Sequence, residues 1–332
     1  MTALKVVTWN VENLFRPELR APRADQQRFQ QKLVLLAKVI KRIDPDIVAL
    51  QEIGGEQPLH DLQQALGGTY PHRAVSAFPD RRGIRVAFLS KYAVDTQVDF
   101  VNFPPGPALE IHDVSATGDS IPITRMVRGA LHIRVTKNRL TVDLITAHLK
   151  SKLLKFPRPR GTSFTPRNEE ERAQIAGIAL MQRMAEAVTL RIRANAILQG
   201  NNRSPLLLLG DFNDVPEAQT SLVLNGPPGS EIGTPGFDQP DQGDDVRLFN
   251  LAPAIAEERR FSRVHQGRRE LLDQIFASEE FFPVGQNNRR QLPRVDSHID
   301  FEGHLPSVRN HPGARAREIK PDHAPVTAFF DL

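Results

Sequence analysis

The chain of 332 residues contains no cysteine, which excludes disulfides, thiolate zinc sites and cysteine nucleophiles and leaves the redox compartment undetermined. It also lacks any apolar run long enough to span a bilayer, so a soluble protein with no stable membrane association is expected. The start, MTALKVVTWN, enters a strand without a basic region, a long apolar stretch or a small-residue cleavage site, and a cytoplasmic protein is expected. Neither sign of charge dominates: 43 Lys and Arg stand against 39 Asp and Glu, for a net charge of +4. The pI near 9.5 mildly favours an anionic partner without specifying nucleic acid. His265, His298, His304 and His311 lack the i, i+4 spacing of a helical zinc site and read as surface histidines. Asp238, Asp241, Asp244 and Asp245 lack the ligand spacing of a calcium loop and read as a turn-rich segment. There is no internal repeat, and most of the 18 phenylalanines sit at periodic positions that belong to a core.

What is present alternates between strand-like and helix-like patterns. Phe29, Leu33, Leu36, Ile40 and Ile43 form the stripe of an amphipathic helix that Asp44 and Pro45 end. IVALQ follows as a buried strand, then a short helix around Leu59 to Leu66, a break at Gly67 and Gly68, and a strand from Ile84 to Leu89. ALHIRV and LTVDLITAH flank the polar turn Thr136 to Arg139 as an antiparallel hairpin. Glu169 to Leu198 is the longest predicted helix, with acidic residues in its first turn and Ile175, Ile178, Met181, Met184 and Val188 expected to face inward. LLDQIFAS and VTAFF supply late strands between Pro- and Gly-rich loops over 225–243 and 283–321. From Lys150 to Arg167 there are six basic residues, no acidic ones and three prolines, which suits either a phosphate backbone or a solvated extended loop.

The most informative segment is Leu206 to Asp214, LLLLGDFND, an apolar run covered on both faces that ends in Asp211, Asn213 and Asp214. Alone it reads equally as an Asx turn or a helix cap. Its companions change the reading: VVTWN ends at Asn10, IVALQE at Glu52 and LITAH at His148, while DHAPVTAFF begins with Asp322 and His323. Because these residues spread from Asn10 to His323, no cut leaves a complete set, and a single domain over 1–332 is expected. If Glu52, Asp211, Asp273 and Asp322 converge, they repel one another and any anionic substrate unless a cation lies among them. Oxygen-rich ligands without cysteine favour Mg²⁺ or Mn²⁺. Phosphoester cleavage suits such a site, with two histidines able to divide into a protonated and a neutral one.

The ordered series TWNVEN, IVALQEI, ITAHLKSK, LLLGDFND, LLDQIFAS and KPDHAPV is similar to the endonuclease/exonuclease/phosphatase (deoxyribonuclease I-like) superfamily. The resemblance implies a four-layer α/β sandwich, two mixed β-sheets packed face to face with helices on the outside and the active site at one edge. It implies Glu52 as principal metal ligand with Asn10 beside it, Glu12 where some members carry a metal-associated aspartate, and Asp322 as a second metal ligand. His148 would donate to the phosphate or leaving group, and Asn213 would steady the transition state. Asp211 resembles the group that orients or deprotonates water, and His323 a histidine paired with Asp273; the general base falls to Asp211 or His323. Arg125, in ITRMVRG, sits near where some members place a phosphate-contacting arginine, and Lys150 is expected to contact substrate. Gln274 departs from the tyrosine or histidine more usual after that aspartate. The expected activity is a monomeric, Mg²⁺- or Mn²⁺-dependent phosphodiesterase acting on nucleic acid. The alternatives are a hydrolase of a small phosphoester, phosphoinositide or sphingolipid headgroup, and a non-catalytic binding protein.

Overall fold

Two six-stranded sheets lie face to face, and a computed structural model describes them within residues 2–106, 109–199, 205–239, 246–285, 289–309 and 312–332. In chain order the elements begin with β1 (Ala3–Leu14), α1 (Arg23–Ile43), β2 (Ile47–Ile53), α2 (Glu56–Ala65), β3 (His72–Val75), β4 (Arg85–Ser90) and β5 (Val94–Asn102). A hairpin of β6 (Ile111–Val114) and β7 (Ser120–Ile123) precedes β8 (Arg125–Lys137) and β9 (Leu140–His148). A second hairpin, β10 (Phe156–Arg158) and β11 (Gly161–Ser163), leads to α3 (Glu169–Leu198), β12 (Leu206–Asp211) and the single turn α4 (Gln219–Leu222). The remainder comprises β13 (Leu248–Asn250), β14 (Arg263–His265), β15 (Arg268–Glu270), β16 (Asp273–Ser278), β17 (Arg294–Ser297), β18 (Ser307–Val308) and β19 (Val326–Asp331).

The first sheet runs β17-β19-β1-β2-β4-β3 and the second β13-β16-β12-β9-β8-β5. Each has one parallel pair, β1 with β2 and β9 with β12, and a long helix connects the strands of each pair, α1 in one case and α3 in the other. Strand alternation then produces three apolar layers. Leu4, Val6, Ile47, Ala49, Leu144, Leu207, Leu209 and Ile275 fill the space between the sheets. Val7, Trp9, Val48 and Leu50 face outward against Leu33, Leu36 and Ile40 of α1, while Ile145, Ala147, Leu206 and Leu208 pack on Leu190, Ala194 and Leu198 of α3. The order helix, sheet, sheet, helix is the four-layer α/β sandwich that the family resemblance implied. Among the described residues, no helix is long and apolar enough to cross a membrane.

Local chemistry sets the ends of the helices. Asp44 caps α1 in the left-handed conformation, φ 50°, with its N–H on Ile40 O. Asn168 begins α3 by accepting Glu171 N–H at 2.8 Å, beside the acidic Glu169, Glu170 and Glu171.

The inner face of α3 differs from the one expected. Met181 is 51% exposed, Ile178, Met184 and Val188 are half-buried, and the buried line runs through Ile175, Ala179, Arg183, Glu186, Leu190 and Ala194. The rotation has a polar cause. Glu186 accepts Val127 N–H at 2.8 Å and Lys150 N–H at 2.6 Å, and Arg183 reaches Asp214 at 3.2 Å, so these two side chains must turn inward. Two expected loops also carry structure. The basic 150–167 run contains the β10–β11 hairpin, and 283–321 contains β17 and β18, short polar strands without a legible alternation. Asp241, Asp244, Asp245 and His311 lie outside the described residues.

Gly210 shows how tightly the parallel pair β9–β12 is built. A Cβ placed there would lie 2.0 Å from the Ala147 backbone carbonyl oxygen, which no side-chain adjustment can relieve. Gly210→Ala is therefore expected to destabilise the fold by about 2–4 kcal/mol, read as a lower urea midpoint. A midpoint equal to that of the wild type would show that the strands separate at little cost.

Candidate active site

The inner-face alternation that builds the core continues past its last apolar residue into a polar one on each central strand. Val6 and Thr8 lead to Asn10 on β1, Leu144 and Thr146 to His148 on β9, and Leu207 and Leu209 to Asp211 on β12. On β16 the series runs backward from Ile275 to Asp273. In register, His148 pairs with Asp211 and Asp211 with Asp273, so the three side chains stand in a row across neighbouring strands. Gln51 of β2 donates to Thr146 Oγ1 at 3.0 Å and to Thr8 Oγ1 at 3.1 Å, which locks the two sheets one layer below. Asn10 closes the gap above that layer, with Nδ2 2.9 Å from Asp211 Oδ2 and 3.4 Å from Glu52 Oε1.

Glu52 departs from the alternation because its backbone is left-handed, φ 66°, where β2 shifts register against β4 between Gln51 and Ile53. Glu12, Asn13 and Asn213 share this conformation, φ 50°, 57° and 51°, so four strained residues ring the strand ends. Glu52 Oε2 accepts Asn13 N–H at 2.9 Å. Among the described residues, no cationic side chain lies within ion-pair distance of Glu52. Asn213 donates N–H to Asp211 Oδ1 and Nδ2–H to Leu149 O, both at 2.9 Å.

The two histidines take opposite charge states for geometric reasons. His148 Nδ1 lies 2.6 Å from Arg128 Nη1, and a guanidinium can only donate. His148 must therefore accept at Nδ1, carry its proton on Nε2 and point that proton at Asp211 Oδ2, 3.4 Å away. Burial, then Arg128, His323 and Arg82, hold its pKa well below 6.5. His323 has Nδ1 2.6 Å from Asp273 Oδ2, its Nε2 4.0 Å from Asp211 Oδ2, and its carbonyl held by Trp9 Nε1 at 2.9 Å. Burial opposes its charge, but Asp273, Asp322 and Asp211 together push its pKa up to about 10. Asp211 itself is raised to about 6, by burial first, against the pull of His323 and with the push of Asp273.

One oxygen or nitrogen from each of Asp211, Asp273 and His323 lies within 4.8 Å of the others. An imidazolium has no lone pair to offer, so this cluster is an ion-pair chain rather than a cation cage. The hard oxygens without a counter-charge belong to Glu52, beside the Asn10 amide, and they fit Mg²⁺ or Mn²⁺. Asp273 Oδ1 is buried without a hydrogen-bond partner in the structure, a further acceptor on these strand ends.

The other expected residues are already engaged or exposed. Glu12 is engaged by Arg315 at 2.7 and 2.9 Å, and Asp322 by Arg263 at 3.2 Å. Asp322 lies below the usual carboxylate range because His323 and Arg263 outweigh its burial. Arg125 is exposed at the start of β8, paired in register with Asn102. Lys150 Nζ donates to Ser151 O and Leu153 O at 2.9 and 3.4 Å, and burial lowers its pKa to about 8. Much of the basic run is likewise occupied: Lys152 pairs with Asp214, and Arg158 and Arg167 with Glu171. Gln274, the departure noted in the sequence, donates to Asp214 O at 2.6 Å and accepts Asn250 Nδ2–H at 2.7 Å, leaving its neighbour Asp273 in place.

The arginine at His148 is Arg128, which the sequence did not single out. The register of β5 with β8 shifts between the Phe100–Ala130 and Asn102–Arg125 pairs, so parity fails over this stretch and re-aims Arg128. Asp80, in a turn with its Oδ1 on Arg82 N and Ile84 N, brings Arg82 near, and Lys155 feels the positive charges of Arg82, Arg128 and Arg81. Arg82, the buried Arg128 and Lys155 thus gather beside His148 around the Asp80 carboxylate, which lies 3.7 and 3.8 Å from the two arginines and leaves an excess of positive charge. Lys32, buried on α1 with Nζ 2.5 Å from Glu12 O, was also missed. A lysine one position before Leu33 on the apolar stripe was the available signal.

The comparisons agree with this architecture. The family model described as "Endonuclease/Exonuclease/phosphatase family" matches residues 7–291. Truncated Caenorhabditis elegans TDP2 superposes with a TM-score of 0.56 at 16% identity, covering 99% of this chain and 98% of that one. An endonuclease/exonuclease/phosphatase family protein from Bacteroides thetaiotaomicron gives a TM-score of 0.53 at 17% identity, covering 100% and 99%. The human Nocturnin catalytic domain with bound sulfate anion gives 0.53 at 13% identity, covering 99% and 94%. No curated protein shows significant similarity to the chain.

The opposed charge states give a direct test by nitrogen-15 NMR of the histidine rings. At pH 8.5 His323 is expected to remain doubly protonated and His148 neutral with its proton on Nε2, because the first pKa is raised to about 10 and the second lowered. The His323 contribution to stability is then fully present below about pH 6.5 and is lost as pH rises toward about 10. Both rings titrating together near 6.5 would contradict the assignment.

Proposed function

Since the chain belongs to the endonuclease/exonuclease/phosphatase family, whose members are metal-dependent hydrolases of phosphoesters, we propose that it is a Mg²⁺- or Mn²⁺-dependent phosphodiesterase acting on nucleic acid. The observation that carries this reading is the Asp211 carboxylate set between a neutral and a cationic histidine, 3.4 and 4.0 Å away, with Glu52 beside it. Glu52 and Asn10 would hold the cation, which when bound neutralises nonbridging oxygens and the departing alkoxide.

The protein's own groups supply the remainder. Asp211, ionised above about pH 6 and held by Asn10 and Asn213, is placed to orient a water molecule and receive its proton. The His323 imidazolium, fixed by Asp273, presents Nε2–H to charge developing on the phosphoryl oxygens. His148, fixed by Arg128, presents a second N–H without adding a net charge. Asn10 and Asn213 hold the Asp211 carboxylate, and Arg128 and Asp273 the two rings, in position before substrate arrives, which reduces reorganisation during reaction. The excess positive charge of Arg82, Arg128 and Lys155 over Asp80 suits a substrate carrying more than one phosphate, which favours nucleic acid over a monoester.

The test is a substrate panel with Mg²⁺ or Mn²⁺, with and without EDTA: bis-p-nitrophenyl phosphate, p-nitrophenyl phosphate, plasmid, single-stranded DNA and RNA. Cleavage of diesters and nucleic acid is expected, abolished by EDTA, with His148→Ala and Asp211→Ala each lowering kcat by roughly 10²- to 10⁴-fold. Preference for the monoester would redirect the assignment to a phosphatase. Turnover unaffected by either variant would point to a contaminant and end the hydrolase reading.

A further inference from the structure

Glu12 lies two residues beyond Asn10, where its carboxylate would be free to join Glu52 around a cation, yet every contact of that carboxylate is already made. Oε1 accepts Arg315 Nε–H at 2.7 Å, and Oε2 accepts Arg315 Nη2–H at 2.9 Å and Asp322 N–H at 3.1 Å. Such a two-point guanidinium pair is among the strongest arrangements a carboxylate can enter. Arg315 is held from behind as well, its Nη2 donating to Lys320 O at 2.6 Å. Lys320 is anchored in turn on the carbonyls of Glu302, Gly303 and His304 at 2.9, 2.8 and 2.8 Å. On the other side of Glu12, the buried ammonium of Lys32 sits on its carbonyl oxygen.

The strand-end acids therefore divide into two halves. Glu12 and Asp322 lie with Arg315, Arg263 and Lys32, so their negative charge is more than matched by fixed protein cations. Glu52, Asp211 and Asp273 have the His323 imidazolium within ion-pair reach of the two aspartates. A divalent ion entering the first half would have to displace a bidentate guanidinium and sit beside a buried ammonium. In the second half it would meet three carboxylates set against one imidazolium, with Glu52 outside ion-pair distance of any cationic side chain among the described residues.

We propose that Arg315 is the resident counter-charge of Glu12, that the site consequently takes a single divalent cation on the Glu52 side, and that Glu12 is a positioning residue rather than a metal ligand. This rests on the metal-dependent reading above and departs from the role that the family resemblance implies for Glu12. The pair has a second effect. By tying the 312–320 segment to the end of β1, it fixes the approach of the chain to Asp322 and His323.

The experiment is a Mn²⁺ titration of the full chain and its variants, with free Mn²⁺ counted by electron paramagnetic resonance and folding checked by circular dichroism. The wild type is expected to bind one Mn²⁺ per chain. Glu12→Gln should retain that ion with little change in affinity, whereas Glu52→Gln should weaken it about 10- to 100-fold. Arg315→Ala, which frees the Glu12 carboxylate, should gain a second, weaker ion that Arg315→Lys does not. Two ions in the wild type, a large loss of affinity in Glu12→Gln, or a folded Arg315→Ala that still binds one ion would each overturn the proposal. A wild type that binds no Mn²⁺ would overturn the metal-dependent reading itself, an outcome distinct from these three. If Arg315→Ala does not fold, the contrast between Glu12→Gln and Glu52→Gln still decides which carboxylate holds the ion.

Discussion

A β-strand sends every second side chain to the same face, and the chemistry of this protein depends on that constraint. The residues between the sheets are apolar up to the buried layer of Thr8, Gln51 and Thr146, and at the strand ends the next inward positions are Asn10, His148, Asp211 and Asp273. Because β9, β12 and β16 are hydrogen-bonded neighbours in register, their polar ends form a row without any loop having to find its place. The packing that excludes water from the core thus also screens Asp211 from bulk solvent. The carboxylate is buried by the same layers that make the fold stable, and burial is the first reason its pKa is raised to about 6.

Burial on that scale would be unfavourable for isolated charges, and the site answers with directed partners. Arg128 fixes the tautomer of His148, and Asp273 fixes that of His323, so the same side chain appears once as a neutral donor and once as a cation. The distinction comes from which neighbour occupies Nδ1. A guanidinium and a carboxylate at equivalent ring positions give opposite results, and both are held by backbone geometry, Arg128 by the irregular pairing of β8 and Asp273 by its place in β16.

Much of this was legible in the sequence, for reasons that also explain where legibility stops. LLLLGDFND, VVTWN and LITAH each show an apolar strand turning polar at one end, and such patterns survive without knowledge of the tertiary structure. The α1 stripe through Phe29, Leu33 and Ile40 was equally plain because a helix on a sheet buries one face. Arg128 and Arg315 were not legible. The first depends on a register shift against β5, and the second lies in a loop whose only address is its partner Glu12, 303 residues away in sequence. The inner face of α3 misled for a related reason: hydrophobic periodicity pointed to Met181, whereas the buried bonds of Glu186 and Arg183 set the rotation. Polar anchors of this kind outweigh a weak apolar pattern because leaving such a group buried and unpartnered costs more than exposing a methionine.

The position of β19 in the first sheet carries a kinetic consequence. It lies between β17 and β1, with Ala3 opposite Asp331 and Thr8 opposite Val326, and the segment leading into it delivers Asp322 and His323. A ribosome-bound chain still missing this strand has β1 unpaired along one side and no imidazolium to face Asp211. The arrangement of Asp211 against an imidazolium is therefore completed only when β19 zips onto β1.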